Sequence, residues 1–236
     1  MKRADQSFVL NADAISLITE HVGVDASKLT LIANGVDTEA YRPCRSSEVA
    51  DLASSLGLVD MDCIIQVGSV CDRKNQMGAL KMVAPLMKER KNLAYIYAGG
   101  VIDQEYQDSL TAFAVDNGIS ERVVYLGELK PGKELNRYYN LAKCSLFATK
   151  AEAFSLVVIE AMASGQPVFV DSSLKVDLDG VERYNDGDEL RRKISRILDD
   201  EAERERIAAA ARATVLEKYS WDKVAVDYVR AFKKLI

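Results

Sequence analysis

The segment Lys150 to Val168, KAEAFSLVVIEAMASGQPV, decides how the chain is read. Two acids, Glu152 and Glu160, stand in it with seven residues between them. Leu156 to Ile159 is apolar throughout, and periodicity alone does not separate a buried helix from a strand there. The Ala161-Met162-Ala163 continuation and Gly165 as a stop decide for a helix. Ser155 fits the N-cap, so the helix is expected to begin just after Glu152. Pro167 then opens a new apolar run, Val168 to Val170. Glu160 is the odd residue, because a carboxylate inside an apolar helix is costly to bury without a partner. A ligand hydroxyl is one such partner.

Working outward, strands and helices alternate. Strand Cys63 to Val67 ends at Gly68 and precedes a helix over Gln76 to Arg90, which Pro85 is expected to kink or shorten. Strand Leu93 to Ala98 ends at Gly99-Gly100. A helix over Gln104 to Asn117 buries Tyr106, Leu110, Phe113 and Ala114 and is capped by Gly118. Strand Val123 to Leu126 ends at Gly127, Glu134 to Ala142 is helical, and Ser145 to Ala148 is a strand. Strands Ile64 to Val67, Val123 to Leu126 and Ser145 to Ala148 read as buried on both faces, as a parallel sheet requires. The alternation predicts a Rossmann-like, doubly wound α/β domain.

Upstream, Ser7 to Leu10 and Leu29 to Ala33 are short strands. They flank a helix capped by Asn11 and stopped by Gly23, with Ile15, Ile18 and Val22 on one face. Val36 to Pro43 is a linker. Asp171 to Asp188 reads as loop with at most one short strand. Three helices complete the chain, over Glu189 to Asp199, Glu201 to Lys218 and Ser220 to Lys234. Val224, Tyr228 and Phe232 form an apolar stripe on the last of these, and Trp221 reads as its anchor.

Composition narrows the class. The 236 residues carry a net charge of −5, 48% hydrophobic and 28% charged residues, the profile of a soluble globular protein. That charge excludes the basic footprint of a nucleic-acid binder. No run reaches a membrane span and no signal-peptide core follows Met1, so a cytoplasmic location is expected. Cys44, Cys63, Cys71 and Cys144 show no metal-ligand spacing and read as reduced thiols. The single histidine, His21, fits a helix end better than a catalytic role.

Ligands of open α/β sheets bind beyond the carboxyl ends of the strands. Gly68, Gly99-Gly100, Gly127 and the loop carrying Glu152 converge there. Glycines let a ligand approach the backbone, although any one of them also simply ends a strand. Asp72-Arg73-Lys74-Asn75 follows the first strand of the domain. Lys74 and the amides that open the Glu160 helix would suit a diphosphate; a solvated charge cluster is the plain alternative. Carboxylates accept paired hydrogen bonds from vicinal hydroxyls. Glu152 and Glu160 could therefore bind two hydroxyl-bearing parts of one ligand, or serve only helix-dipole balance and a core ion pair.

EAFSLVVIEAMASGQPV resembles the E-x7-E signature of retaining GT-B glycosyltransferases of the family-4 group. IANGVDTEAYRP resembles that family's domain junction, QVGSVCDRKNQ its first C-domain strand and basic loop, and YAGG and YLGEL its next strand ends. The match runs in order from about Leu29 to Val170. The resemblance implies the C-terminal half of a GT-B fold with extra C-terminal helices. It divides the chain into a remnant of the acceptor domain with its linker (1–42), a nucleotide-sugar-binding domain (43–218) and a crossing helix (219–236). It implies retaining hexosyl transfer from a nucleotide-diphosphate sugar to an acceptor glycan or lipid, without a cofactor or metal. Glu160 would bind the donor ribose, Glu152 the sugar hydroxyls and Lys74 the diphosphate. Phe154, Ser155 and Leu156 would present amides, Gly68 would allow close approach and Leu129 would lie against the base. The leaving diphosphate would be stabilised electrostatically, with no protein nucleophile.

Three departures bear on that reading. Ser69 stands where the family has Arg, leaving Arg73 as the second cation. Ala153 replaces a glycine, and the usual Gly-Gly and Glu loop is absent between Asp171 and Asp188. The resemblance also implies that the acceptor site lies in a first domain or a partner chain, so the stripe Val224, Tyr228 and Phe232 is expected to be partly unpartnered. No motif for peripheral membrane contact is evident. The alternative is a non-catalytic donor-domain relative that binds nucleotide or a partner glycosyltransferase chain. A GT-B sugar-phosphate epimerase is disfavoured by the E-x7-E spacing.

Overall fold

The computed structural model describes residues 3–152, 154–174 and 178–235. Two strands, β1 (Ser7–Val9) and β2 (Leu29–Leu31), pair in parallel around α1 (Ala12–Leu17). Asn11 caps α1 through its side chain, which accepts from the Ala14 amide at 2.8 Å. The helix continues into one π-helical turn over Ile18–Val22 and stops at Gly23, whose φ of 67° is left-handed. The core of this lobe is small: Val9, Val24 and Leu29, with Ile15 and Ile18 packed against them.

After the short helix α2 (Ala50–Ser55) the large sheet begins with β3 (Asp62–Val67) and α3 (Gln76–Glu89). Then follow β4 (Leu93–Ala98), α4 (Gln104–Asp116), β5 (Val123–Tyr125), α5 (Lys133–Leu141), β6 (Cys144–Phe147) and α6 (Leu156–Ala163). The sheet ends with β7 (Val168–Asp171) and β8 (Glu182–Tyr184), and three helices follow: α7 (Gly187–Asp199), α8 (Glu201–Lys218) and α9 (Trp221–Phe232). All six strands are parallel, in the order β5-β4-β3-β6-β7-β8. This is the doubly wound α/β architecture expected from the alternation.

Neighbouring residues of each strand point to opposite faces, so the sheet has two cores. Ile65, Ile96, Phe147 and Val170 pack with Tyr139 of α5, Ile159 of α6 and Val215 of α8. Ile64, Tyr95, Leu146 and Phe169 pack with Leu80 of α3, Leu110 of α4 and Ile194 of α7. All four cysteines are free, with Cys63 and Cys144 buried on adjacent strands. No helix among the described residues is long and apolar enough to cross a membrane.

Three expectations change and a fourth is sharpened. Pro85 sits inside α3 without ending it; the helix is held by burial of Leu80, Val83, Ala84 and Met87, which outweighs one lost hydrogen bond. Val123 to Leu126 is not covered on both faces: β5 is the outermost strand and Tyr125 is exposed. The helix carrying Glu160 starts at Leu156 rather than just after Glu152. The α9 stripe is partly unpartnered, as expected, but the part that is covered is covered from within this chain rather than by another. Val224 is buried, and the Phe8 ring stands edge-on to Tyr228 at 5.0 Å and to Phe232 at 5.5 Å. The outer side of Phe232 stays exposed.

Trp221 anchors the start of α9 by lying against Gly35, where a Cβ would come within 2.6 Å of its ring. Here the linker and the α8–α9 junction run side by side. Val36 donates to the Tyr219 carbonyl at 2.8 Å, and Trp221 to the Val36 carbonyl at 3.2 Å.

Candidate functional site at the switch point

The chain order reverses between β3 and β6: β4 and β5 lie to one side, β7 and β8 to the other. A crevice beyond the carboxyl ends of these two strands is where such sheets bind ligands. The segment after β3 contains Gly68, Ser69, Arg73 and Lys74. The segment after β6 contains Glu152 and Ser155. Two stretches far apart in sequence therefore meet at one edge.

The basic loop is fixed by its own backbone turn, in which Lys74 donates to the Cys71 carbonyl at 3.0 Å, and by groups around it. Gln66, a polar residue in the apolar strand β3, donates to the Lys74 carbonyl at 2.7 Å and accepts from the buried Tyr95 hydroxyl at 2.7 Å. The Arg73 carbonyl accepts from the Thr149 hydroxyl at 3.0 Å and from the Lys150 amide at 2.9 Å. Asn75, at a left-handed φ of 56°, accepts from Gly78 and donates to the Ala148 carbonyl at 3.0 Å. Lys74 is thereby aimed across the crevice. Its ammonium lies 2.6 Å from Glu152 Oε2 and 5.6 Å from the Phe147 ring centroid. The pair is largely buried, with 12% and 20% of the two side chains exposed, so it is screened less than a surface ion pair.

Arg73 is half exposed, 3.6 Å from Glu152, and donates to the Ala151 carbonyl at 3.3 Å. Ser69 contributes its carbonyl to Gln76, at 2.9 Å. Gly68 has a φ of 148° and lies under the Lys74 stem, 3.3 Å from where a Cβ would be. A Cβ on Gly99 would collide with the Gly68 carbonyl, so part of the glycine pattern serves backbone packing.

At the start of α6, Ser155 occupies the N-cap position but makes no cap hydrogen bond. It is 2% exposed and its hydroxyl has no partner among the described residues. An uncapped helix start leaves unsatisfied N–H donors and a partial positive charge. Phe154 is half-buried with its ring 6.1 Å from that of Tyr219, and Leu156 is exposed. The expected Ser155 cap is therefore not made, and Glu152, Phe154 and Ser155 lie outside the helix.

Glu160 lies one turn further on, in a different setting. Burial pushes its carboxyl above the ordinary range, and the Tyr41 side chain is the opposing, smaller influence. The Tyr41 oxygen accepts from the Gly132 amide at 2.8 Å. Burial drives the Tyr41 phenol far up. Tyr139 donates to the Val157 carbonyl at 3.2 Å and closes the other side of this corner. Leu129 packs half-buried against the same core. Among the residues expected at the site, Lys74, Arg73 and Glu152 are thus in contact, and Glu160 stands apart from them in its own environment. Gln66, Asn75, Thr149 and Tyr41 were not singled out from the sequence. Gln66 left a signal as a polar residue in an apolar strand, Asn75 as part of the basic cluster, and Tyr41 as an aromatic in the NGVD junction.

A cleft of about 560 Å³ between β2 and α9 lies away from this edge. Asp227 and Arg230 in it are paired with each other at 3.0 Å. The switch point, with its glycines, cation and uncapped helix, is the better built site.

The α/β domain with these groups at its switch point is Rossmann-like, and sequence comparison places it in a family. Residues 54–214 match the model of glycosyl transferases group 1, and the chain belongs to that family. An uncharacterized glycosyltransferase of Methanocaldococcus jannaschii is 30% identical over 215 residues, 87% of this chain and 54% of its own length. The chain spans about half the length of the curated relatives it matches. Among solved structures, Anabaena HepE in complex with UDP and glucose superimposes with a TM-score of 0.86 at 18% identity, over 98% of this chain and 64% of that one. The C-terminal domain of a group 1 glycosyl transferase from Francisella tularensis gives a TM-score of 0.66 at 18% identity. That alignment takes in 79% of this chain and all of the other. The large domain therefore corresponds to the C-terminal domain of a group 1 glycosyltransferase.

Proposed function

We propose that this domain binds a nucleotide-diphosphate sugar at the switch point and serves retaining, metal-independent hexosyl transfer. The observation that carries the reading is the uncapped start of α6, with the buried Ser155 hydroxyl unpartnered, three residues beyond the Lys74–Glu152 pair. Unsatisfied donors beside a lysine make a site for phosphate oxygens. Glu160 would accept from the ribose hydroxyls, Leu129 would flank the base and Glu152 would accept from the sugar hydroxyls. Lys74 and the α6 amides would neutralise the diphosphate as it leaves. The acceptor glycan or lipid would be held by another part of a longer protein or by a partner chain.

Calorimetric titration of UDP, GDP and ADP and of their sugar conjugates into the chain tests this. Binding of one nucleotide series is expected, weakened by the Lys74→Ala and Glu160→Gln substitutions. A folded chain that binds none of them refutes the proposal.

A second reading has its own support: Ser69 lacks the cation that the family places there, and Arg73 is turned onto Ala151 and Glu152. A domain so disposed would bind nucleotide without transferring sugar. Transfer measured with an acceptor-binding half supplied in trans separates the two, because the non-catalytic reading gives nucleotide binding and no product.

A further inference from the structure

Behind the basic loop, the large sheet buries a polar pair. Gln66 of β3 and Tyr95 of β4 lie on the face that packs against α3 and α4. Tyr95 is fully buried and Gln66 is 3% exposed, so the phenol cannot touch a ligand in the crevice. Burying such groups is costly unless each finds a hydrogen bond. The Tyr95 hydroxyl donates to Gln66 Oε1 at 2.7 Å, and Gln66 Nε2 donates to the Lys74 carbonyl at 2.7 Å.

These three groups admit one order of donors and acceptors. A carbonyl only accepts, so the amide nitrogen of Gln66 must face Lys74. The amide oxygen then faces Tyr95, and the phenol, which can do either, is left to donate. Without that hydroxyl nothing on the far side distinguishes the two ends of the carboxamide, and its orientation is no longer fixed.

The bond falls on the peptide that directs the lysine. Lys74 ends the short turn Asp72–Lys74, and Asn75 follows at a left-handed φ of 56°. In a continuous helix the Gly78 amide would return to the Lys74 carbonyl. Here it goes to the Asn75 side chain at 3.2 Å, and Gln66 bonds the carbonyl instead. From this residue the lysine stem runs over Gly68 to bring its ammonium 2.6 Å from Glu152. Rotation of the peptide between Lys74 and Asn75 would swing that stem. We propose that Tyr95 is a positioning residue for the donor site: through Gln66 it sets the direction in which Lys74 presents its ammonium. The inference rests on the reading of Lys74 as the diphosphate cation. A strand without a charged residue, LAYIYA, thereby acts on the phosphate end of the site from inside the sheet.

The test is a cycle of four chains: the parent, Tyr95→Phe, Gln66→Met and the double variant. Each is titrated calorimetrically with UDP, GDP and ADP and with the corresponding nucleosides. Phenylalanine keeps the ring and methionine keeps the length, so the bonds alone are removed. Each single substitution is expected to weaken diphosphate binding about three- to tenfold, the worth of one hydrogen bond, and to leave the nucleoside unchanged. Tyr95→Phe should cost nothing further once Gln66→Met is present, because the phenol acts only through the carboxamide. A tyrosine buried for packing alone gives other results. Urea stability falls while diphosphate affinity stays, or the two losses multiply in the double variant, or diphosphate and nucleoside weaken equally. Any of these in folded chains, with the parent binding, overturns the Tyr95 inference alone. If Tyr95→Phe does not fold, the double variant, in which both polar groups leave together, is compared with Gln66→Met. Equal diphosphate affinity supports the inference, and a further loss overturns it. A parent chain that binds no nucleotide overturns the donor-site reading and this inference together.

Discussion

Glu152 and Glu160 are the same chemical group, with seven residues between them, in opposite surroundings. Glu152 sits on a loop and is met by two cations, Lys74 at 2.6 Å and Arg73 at 3.6 Å. Glu160 sits inside a buried helix and makes no ion pair among the described residues. The first acid is balanced by charge and can exchange partners when an anion arrives. The second is set by burial, which raises its carboxyl. A diphosphate sugar has a charged centre and neutral hydroxyl-rich ends, and the two environments match those two demands.

The comparison breaks first at Lys74. Lys74→Ala removes the diphosphate partner and leaves Glu152 facing the same anion, with only half-exposed Arg73 beside it. A loss of about a hundredfold in UDP affinity is expected, the upper part of the ~1.5–3 kcal/mol of a charged hydrogen bond. Adding Glu152→Gln should recover part of it. Calorimetry with UDP and with uridine sharpens the point, since uridine carries no phosphate and should bind both chains alike.

Glu160→Gln comes next. The amide oxygen still accepts, so about tenfold is expected, the lower part of the same range. Here UDP and uridine should lose equally. A loss confined to UDP would take Glu160 out of the ribose contact.

The third difference lies in pH. Burial raises the Glu160 carboxyl above its ordinary value of 4.5. Between that value and the raised one, the native state holds a proton that the unfolded chain has released. The contribution of Glu160 is therefore full below the unfolded value and is lost as pH rises through the folded one. Subtracting urea-derived stabilities of Glu160→Gln from those of the parent should show a difference falling with rising pH in that window. A flat difference would remove burial as the cause of the contrast.

The smallest effect belongs to Arg73. With about half its side chain exposed, Arg73→Ala should change UDP affinity by no more than about fivefold, as exposed ion pairs are worth ~0.2–1 kcal/mol. Its share should fade with added salt faster than that of Lys74.

The elements of both lobes are legible because each carries its own local signal: apolar runs ended by glycine, caps at Asn11 and Ser220, and helical spacing in α4 and α8. The helix over Glu201 to Lys218 was read with its observed bounds. What was not legible depends on partners remote in sequence. Val123 to Tyr125 is apolar enough to be central, but strand order leaves it outermost. Ser155 has the right side chain and position for a cap, yet the bond is not made. Tyr41 was legible only as an aromatic in the NGVD junction, since its meeting with α6 needs the linker to fold back across the domain. Phe8 on α9 is a contact of the same kind, from one end of the chain to the other.

Gly35 and Trp221 belong to a joint with mechanical character. Two backbone segments pass between the lobes together, zipped by the hydrogen bonds of Val36 with Tyr219 and Trp221, and the indole is wedged against the bare Gly35. A single covalent strand would act as a swivel. Two fastened straps resist torsion and leave bending across their line as the softer mode, so the joint constrains the lobes to nod rather than to spin.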